Sequence, residues 1–126
     1  MRSNSAAQAF IDEFVQAFTS FSGKIIARRY ASPYMAMHAD GTSTLCSSAQ
    51  DTALYFQRII DKYYERGART CSYKELDVVA IGRCHLLATV TWELQDMTGR
   101  VISTWRESYT LALLDGEYKI TTSIDH

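Results

Sequence analysis

Hydrophobic positions in the first part of the chain recur every three or four residues, the spacing of amphipathic helices. Residues 6–21 carry an apolar stripe rich in phenylalanine and acidic side chains opposite it, so a first helix is predicted there, with Asn4 or Ser5 as its cap. A second helix is predicted over residues 23–31, because Pro33 cannot continue a helix. Each helix has one apolar side, which indicates that both pack on a common core.

The segment after the second helix has a mixed pattern. Residues 32–48 predict a short strand or a buried loop, with a turn at residues 39–42. Ser48 and Asp51 then resemble a capping box, with Asp in place of the usual Glu, and they predict the start of a third helix. Gly67 is well placed to end it.

In the second half of the chain the hydrophobic period falls to two, which is typical of strands buried on one face. Four strands are predicted, over residues 73–81, 86–95, 101–113 and 117–125. Glycine-containing tight turns separate them, as in antiparallel hairpins. The pattern therefore predicts a single α+β domain over residues 1–126, with helices on one face of a curved sheet and a pocket between the layers.

Composition argues against several classes of partner. The 126-residue chain has a formal net charge of −1, so nothing electrostatic favours nucleic acid or an anionic membrane. No apolar run approaches the roughly 20 residues that span a bilayer, and the start of the chain does not resemble a signal peptide. The three cysteines include no closely spaced pair, which disfavours disulfides and favours a reducing cytoplasm. No residue spacing resembles a metal site or a phosphate loop, so neither a metal nor an organic cofactor is expected.

Several segments together resemble a known superfamily. They are the first-helix stripe at residues 10–14, the segment 26–33 that ends in Ala-Ser-Pro, the third-helix segment 48–67 and the strand segment 75–82. Three predicted strands follow these segments. In this order, the segments and strands resemble those of the nuclear transport factor 2-like superfamily, which includes ketosteroid isomerase, scytalone dehydratase and polyketide cyclase-like proteins. The resemblance covers nearly the whole chain and concerns architecture, so it predicts the fold better than the function.

The resemblance implies a cystatin-like cone, in which three N-terminal helices pack on a highly curved antiparallel sheet of four strands plus one short extra strand. One end of such a cone is open and holds a pocket that is often apolar with a few polar groups. Dimers through the outer sheet face are common in these proteins. The outer face predicted here, rich in Thr and Ser with Arg, suits a homodimer and equally suits solvent.

His38 is the first catalytic candidate. In proteins resembling ketosteroid isomerase, a general-base carboxylate lies about eight positions after an aromatic residue near the end of the second helix, and eight positions after Tyr30 this chain has His38. A pocket histidine is a reasonable base, because its usual pKa of ~6.5 lies near working pH. Asp40 takes this place if the register differs by two residues. In the alternative interpretation, His38 is an ordinary loop residue.

Glu107 is the second catalytic candidate. It is the only charged residue on the apolar face of its strand, between Trp105 and Tyr109. Burial there would raise its pKa and make it an acid or a hydrogen-bond donor, and the isomerases place a protonated carboxylic acid nearby. The alternative is a bulge that turns Glu107 outward to pair with Arg106 or Arg100.

Aromatic residues are expected to line the pocket, because aromatic walls bind flat apolar ligands. The isomerases place a tyrosine on the first helix to bind the enolate oxygen, and the corresponding residue here is Phe14, which has no hydroxyl; steroid isomerisation is therefore disfavoured. The alternative for each aromatic residue is a place in the core. The expected ligand-binding wall comprises Phe14, Tyr30, Tyr34, Trp92, Trp105, Tyr109 and Tyr118.

Two functional hypotheses follow. In the first, the protein binds a small, largely apolar organic molecule and transfers protons without a cofactor, as an isomerase, dehydratase or cyclase, with His38 as base and Glu107 as acid. In the second, it is a non-catalytic dimeric module that binds a small molecule or a peptide. A base-like residue at position 38 favours the first hypothesis, and Phe14 favours the second.

Overall fold

The secondary structure follows the expected order, with helices in the first half and a meander in the second. The computed structural model describes residues 2–126. Helix α1 spans Arg2–Thr19, α2 spans Gly23–Ala27 and α3 spans Ala49–Glu65. The strands are β1 (Tyr30–Met37), β2 (Ser43–Cys46), β3 (Thr70–Ile81), β4 (His85–Gln95), β5 (Val101–Leu114) and β6 (Glu117–Asp125).

All six strands belong to one sheet, in the order β2-β1-β6-β5-β4-β3. Every neighbouring pair is antiparallel except β1 and β6, which run parallel. The α+β class and the cystatin-like architecture are confirmed. The expected strand count is too low by one, because the mixed segment forms two strands, β1 and β2, which extend the sheet beyond β6.

The ends of the first two helices differ from the expected ones. Helix α1 begins at Arg2, so Asn4 and Ser5 lie inside it and do not cap it. The helix can extend to this point because no Pro or Gly lies between Arg2 and Ala6. Helix α2 ends at Ala27, four residues before the expected end. Tyr30 instead pairs with Ile120 of β6, so tertiary strand pairing overrides the local helical pattern.

The third helix begins where its sequence indicated. Ser48 is the N-cap, and its hydroxyl accepts a hydrogen bond of 3.1 Å from the backbone N–H of Asp51. Gly67 follows the last turn with a φ of +105°, which glycine adopts without strain. Helix α2 packs closely on α3 at Gly23, where any Cβ would overlap the carbonyl oxygen of Ala53.

The core lies between α1 and the inner face of the sheet. The alternation predicted for β4 is confirmed, since Leu86, Ala88, Val90, Trp92 and Leu94 are all buried. The phenylalanine stripe of α1 packs on this face.

Four irregularities in strand pairing accompany the curvature of the sheet, one of them a shift of the β1–β6 register between Tyr30 and Met35. Between Lys74 and Asp77, two residues of β3 face one residue of β4, and Glu75 has a φ of +56°. The β4–β5 register shifts near Gln95, and the β5–β6 register shifts near Leu111. Bulges of this kind bend a strand and increase its twist. None of them falls at position 107, so β5 keeps the regular alternation there.

None of the helices within residues 2–126 is both long and apolar enough to cross a membrane.

Candidate functional site

A cavity of about 270 Å³ lies between the helices and the inner face of the sheet. Ligand sites in proteins are typically apolar concavities of a few hundred Å³ with a small number of polar groups, and this cavity has that composition. Its aromatic wall consists of Phe14, Phe18, Tyr30, Tyr34, Tyr55, Phe56, Tyr63, Trp92, Trp105 and Tyr109.

Two carboxyl groups meet in this cavity. Glu107 of β5 and Asp125 of β6 are register partners, and both line the cavity. Partners on adjacent strands point to the same face, and here the two side chains are hydrogen-bonded to each other. The interpretation in which Glu107 turns outward to Arg106 or Arg100 is therefore wrong; the side chain of Arg106 instead pairs with Asp77 on the outer face.

Burial of the pair favours the protonated forms. Burial, and then the charge of Asp125, raise the pKa of Glu107 to about 7, while the Trp105 indole opposes this rise. The side chain of Glu107 is partly exposed, and it lines the cavity. Burial also raises the pKa of Asp125, against the charge of His38. Two carboxyls in contact cannot easily both ionise, so burial and mutual repulsion favour one shared proton in the pair near neutral pH.

Hydrogen bonds from two indoles orient this site. The Nε1 of Trp105 donates to Oε1 of Glu107 at 2.8 Å. The Nε1 of Trp92 donates to the hydroxyl of Tyr109 at 2.8 Å, and Tyr109, like Trp105, lowers the pKa of Glu107. The orientation of Glu107 is thus determined by rigid aromatic groups before any ligand enters.

The tyrosine hydroxyls of the cavity differ in their partners. Tyr34 is hydrogen-bonded to the hydroxyl of Ser123. Tyr30, Tyr55 and Tyr63 form no side-chain hydrogen bond with any residue in the described range 2–126. Burial raises the pKa of both Tyr55 and Tyr63 to about 12, so both stay protonated near neutral pH.

Six of the seven expected wall residues line the cavity, and Tyr118 does not. Tyr118 pairs with Leu113 near the start of β6, whereas the carboxyl pair lies at the end of that strand. The expectation for Tyr118 is corrected, because its position along the strand places it away from the cavity. Phe14 contacts the rings of Trp92 and Tyr109, with centroids 5.6 and 6.1 Å apart, and brings no hydroxyl to the site.

Neither His38 nor Asp40 is among the residues that line the cavity. The Nε2 of His38 lies 2.8 Å from the hydroxyl of Thr44, although its charge still acts on Asp125. Asp40 lies in the exposed turn after β1, where it accepts hydrogen bonds from the backbone and the hydroxyl of Thr42. These bonds lower the pKa of Asp40. Asp40 is thus a turn residue, because its carboxylate is occupied by the local backbone.

Asp125, Tyr55 and Tyr63 are among the cavity residues that were not predicted as site residues from the sequence. The helical spacing of Tyr55 and Tyr63, eight residues apart on α3, was a usable signal, since such residues lie on one face. Asp125 was harder to recognise, because the irregularity near Thr121 interrupts the alternation of β6. His126 also borders the cavity, with its Nε2 2.7 Å from the hydroxyl of Ser108.

Within residues 2–126, no group of three or more His, Cys, Asp and Glu side chains is arranged to hold a metal ion.

Helices packed in the concave face of a curved antiparallel meander, with a cavity between them, define the nuclear transport factor 2-like class of cystatin-like α+β proteins. The chain belongs to the family described as NTF2-like protein (DUF6841), whose sequence pattern matches residues 4–126. No curated protein sequence matches the chain.

Solved structures share the fold over nearly the whole chain. A domain of unknown function with a cystatin-like fold from Nostoc punctiforme has a TM-score of 0.75 at 18% identity, covering 99% of this chain and 76% of that one. Yeast UBP3-associated protein BRE5 has a TM-score of 0.74 at 17% identity, covering 96% and 92%. Aln2 from a Streptomyces species has a TM-score of 0.78 at 12% identity, covering 98% and 89%. At such identities the likeness shows the fold alone.

Proposed function

We propose that this protein binds a small, largely apolar organic molecule in its cavity and catalyses proton transfer on it without a cofactor, as an isomerase, dehydratase or cyclase. The observation that carries the proposal is the hydrogen-bonded pair of Glu107 and Asp125 inside an aromatic cavity. Two carboxyls that share one proton supply a base and an acid at the same time.

We assign the role of acid to Glu107, because burial and the charge of Asp125 raise its pKa to about 7. We assign the role of base to Asp125, because the charge of His38 opposes the rise in its pKa. Asp125 takes a proton from a carbon of the ligand, and the electrons of the broken C–H bond move toward an acceptor oxygen that Glu107 polarises. Return of the proton from Asp125 to another carbon completes an isomerisation. Transfer of that proton from Asp125 to a hydroxyl group of the ligand, which leaves as water, completes a dehydration.

His38 has a supporting role in this proposal. Its charge opposes the rise in the pKa of Asp125 and so favours the ionised base. The base expected at position 38 is replaced by Asp125, which lines the cavity that His38 does not reach. A His38→Ala variant with unchanged ligand affinity and turnover would remove His38 from the mechanism.

The test is a ligand screen followed by an exchange measurement. Small cyclic and aromatic ketones, alcohols and hydrocarbons are screened by thermal shift, because a ligand at 100 times its Kd stabilises the fold by about 2.7 kcal/mol. Hits with acidic C–H bonds are then incubated in deuterium oxide, and deuterium incorporation is followed by NMR. We expect exchange that is lost in Asp125→Asn and retained in Glu117→Gln, a control at an exposed carboxylate. Binding without exchange in the unaltered protein would contradict the catalytic part.

Phe14 favours a second candidate, a non-catalytic binding module, because the first helix supplies no phenol to the cavity. BRE5, a protein of similar fold, is described as a UBP3-associated protein, which is an example of this fold in a protein named for an association.

We propose that the protein forms a homodimer through the outer face of its sheet. The exposed apolar side chains of Val79, Ile81 and Ile124 support this assembly. A monomer in a sizing measurement at micromolar concentration would contradict this assembly. A cytoplasmic location is proposed on the cysteine pattern alone.

A further inference from the structure

We propose that a second ligand subsite lies between β2 and α3, divided from the main cavity by the ring of Tyr55, and that it holds an unbranched chain carried by the cyclic body of the ligand. This inference rests on the proposed function, since it assumes that the main cavity takes the body of a ligand, and it adds the shape of that ligand.

A second cavity of about 180 Å³ lies beside the main one. Tyr55 lines both cavities, and no other residue in the described part of the chain does so. The side chain of Tyr55 therefore forms the boundary between the two spaces. The second cavity is lined by residues of β2 and α3, namely Thr44, Leu45, Cys46, Asp51, Leu54, Tyr55 and Arg58.

Strand pairing places the two cavities side by side on one face of the sheet. Tyr34 and Ala36 of β1 line the main cavity. Their register partners on β2 are Cys46 and Thr44, which line the second cavity. Register partners point to the same face of a sheet, and neighbouring strands lie about 4.8 Å apart. The second cavity thus continues the main cavity by one strand toward the edge of the sheet, where β2 lies.

Helix α3 covers both cavities with two adjacent faces. Asp51, Leu54 and Arg58 are spaced three and four residues apart, so they lie on one face, and they line the second cavity. Tyr63 lies on the neighbouring face and lines the main cavity. Tyr55 lies where these two faces meet, so one side chain of the helix separates the cavities.

No side-chain hydrogen bond holds the ring of Tyr55, because its hydroxyl has no such partner within residues 2–126. Its ring packs on Phe56, with centroids 5.1 Å apart. Burial, followed by the charges that Asp125 and Cys46 carry when ionised, raises the pKa of Tyr55 to about 12. These neighbours agree with a hydroxyl that has the carboxyl pair on one side and the second cavity on the other. Rotation of the ring breaks no side-chain hydrogen bond and joins the two cavities.

The joined cavities suit a ligand with two unlike parts. The aromatic wall of the main cavity suits a cyclic body, and the smaller second cavity, entered past one side chain, suits a chain. Side chains of both signs, Asp51 and Arg58, lie in the second cavity, and neither forms an ion pair among the described residues. A hydroxyl at the end of the chain can donate to the carboxylate and accept from the guanidinium.

The experiment compares benzyl alcohol with phenylhexanol, whose phenyl and hydroxyl groups lie at opposite ends of the chain, on the whole 126-residue protein. Calorimetry gives the dissociation constants for the unaltered protein, for Leu54→Trp, whose larger side chain fills the second cavity, and for Leu114→Trp, at an exposed leucine that lines neither cavity. We expect phenylhexanol to bind roughly tenfold more tightly than benzyl alcohol, because its chain is buried. Leu54→Trp should remove most of this gain and leave benzyl alcohol binding unchanged, and Leu114→Trp should change neither.

Nuclear Overhauser effects locate the chain even if Leu54→Trp does not fold. In unaltered protein labelled with carbon-13 at its Leu and Thr methyl groups, the methylene next to the hydroxyl of bound phenylhexanol should show effects to Leu54 and Thr44. If these effects are absent while phenylhexanol binds, the inference is overturned and ligand binding in the main cavity stands. An equal loss of phenylhexanol affinity in Leu54→Trp and Leu114→Trp overturns it as well. If neither probe binds, the inference and the proposed binding function both fail for ligands of this size.

Discussion

Glu107 and Asp125 lie opposite each other on β5 and β6, and their hydrogen-bonded carboxyl groups open into one aromatic cavity. Each group raises the free energy of ionising the other, because neither is fully solvated. Their contact also links two parts of the chain 18 residues apart, so it exists only in the folded protein and gives the pair a measurable effect on stability.

The first prediction concerns the pH dependence of stability. The pKa of Glu107 rises from its usual 4.5 to about 7 on folding, so the folded state binds this proton more tightly than the unfolded state. The resulting contribution to the free energy of unfolding is fully present below the unfolded pKa of 4.5. That contribution is lost as the pH rises through the folded pKa, by up to about 3 kcal/mol between pH 4.5 and pH 7. Urea denaturation at pH 5 and pH 8 should show this loss in the unaltered protein and a smaller one in Glu107→Gln.

The second prediction concerns the coupling of the two carboxyls. Asp125→Asn removes the charge that is the second largest cause of the raised pKa of Glu107. The pKa of Glu107 should then fall below about 7, which NMR titration of its carboxyl carbon would measure. The exposed-site control Glu117→Gln should leave it unchanged, and an unchanged value in Asp125→Asn would disprove the coupling.

The third prediction separates the paired tyrosine hydroxyl from an unpaired one. Tyr34→Phe should lower the free energy of unfolding by about 1–3 kcal/mol, because it leaves the buried hydroxyl of Ser123 without its partner. Tyr63→Phe removes a hydroxyl that has no side-chain partner in the described residues, so it should be neutral or slightly stabilising without ligand. Equal effects in urea denaturation would argue against the Tyr34–Ser123 hydrogen bond.

The fourth prediction concerns the start of α3. Ser48→Ala should lower the free energy of unfolding by about 1 kcal/mol, since the hydroxyl caps the helix through the N–H of Asp51. Ser47→Ala changes an exposed serine that makes no side-chain hydrogen bond in the described part of the chain, and it should have little effect. Chemical denaturation of both variants tests the cap, and a similar loss in Ser47→Ala would place the cap elsewhere.

Features that depend on near neighbours were predictable. The Ser48 cap, the Gly67 end of α3 and the alternation of β4 follow from contacts a few residues apart or from the burial of one strand face. The end of α2 and the position of strand β1 could not be predicted in this way, because Tyr30 pairs with Ile120, which is 90 positions away in the chain. Local helical spacing carries no information about such a partner.

The same distinction applies to the candidate site. Glu107 was recognisable as a lone charge on an apolar face, since alternation in β5 is regular at that position. Asp125 was not recognisable, because the register shift in β6 breaks the alternation before it. His38 and Asp40 were placed by counting from Tyr30, and that count assumed a helix where the chain forms a strand.

The sequence by itself determined the order of helices and strands, the buried faces and the family of the fold, because each depends on hydrophobic periodicity and local turn chemistry. Tertiary structure alone decided which side chains meet in the cavity. Bulges and long-range strand pairing set the register, and a shift of one residue moves a side chain to the opposite face of the sheet. For that reason the partner of Glu107 is Asp125, which the alternation of β6 alone does not indicate.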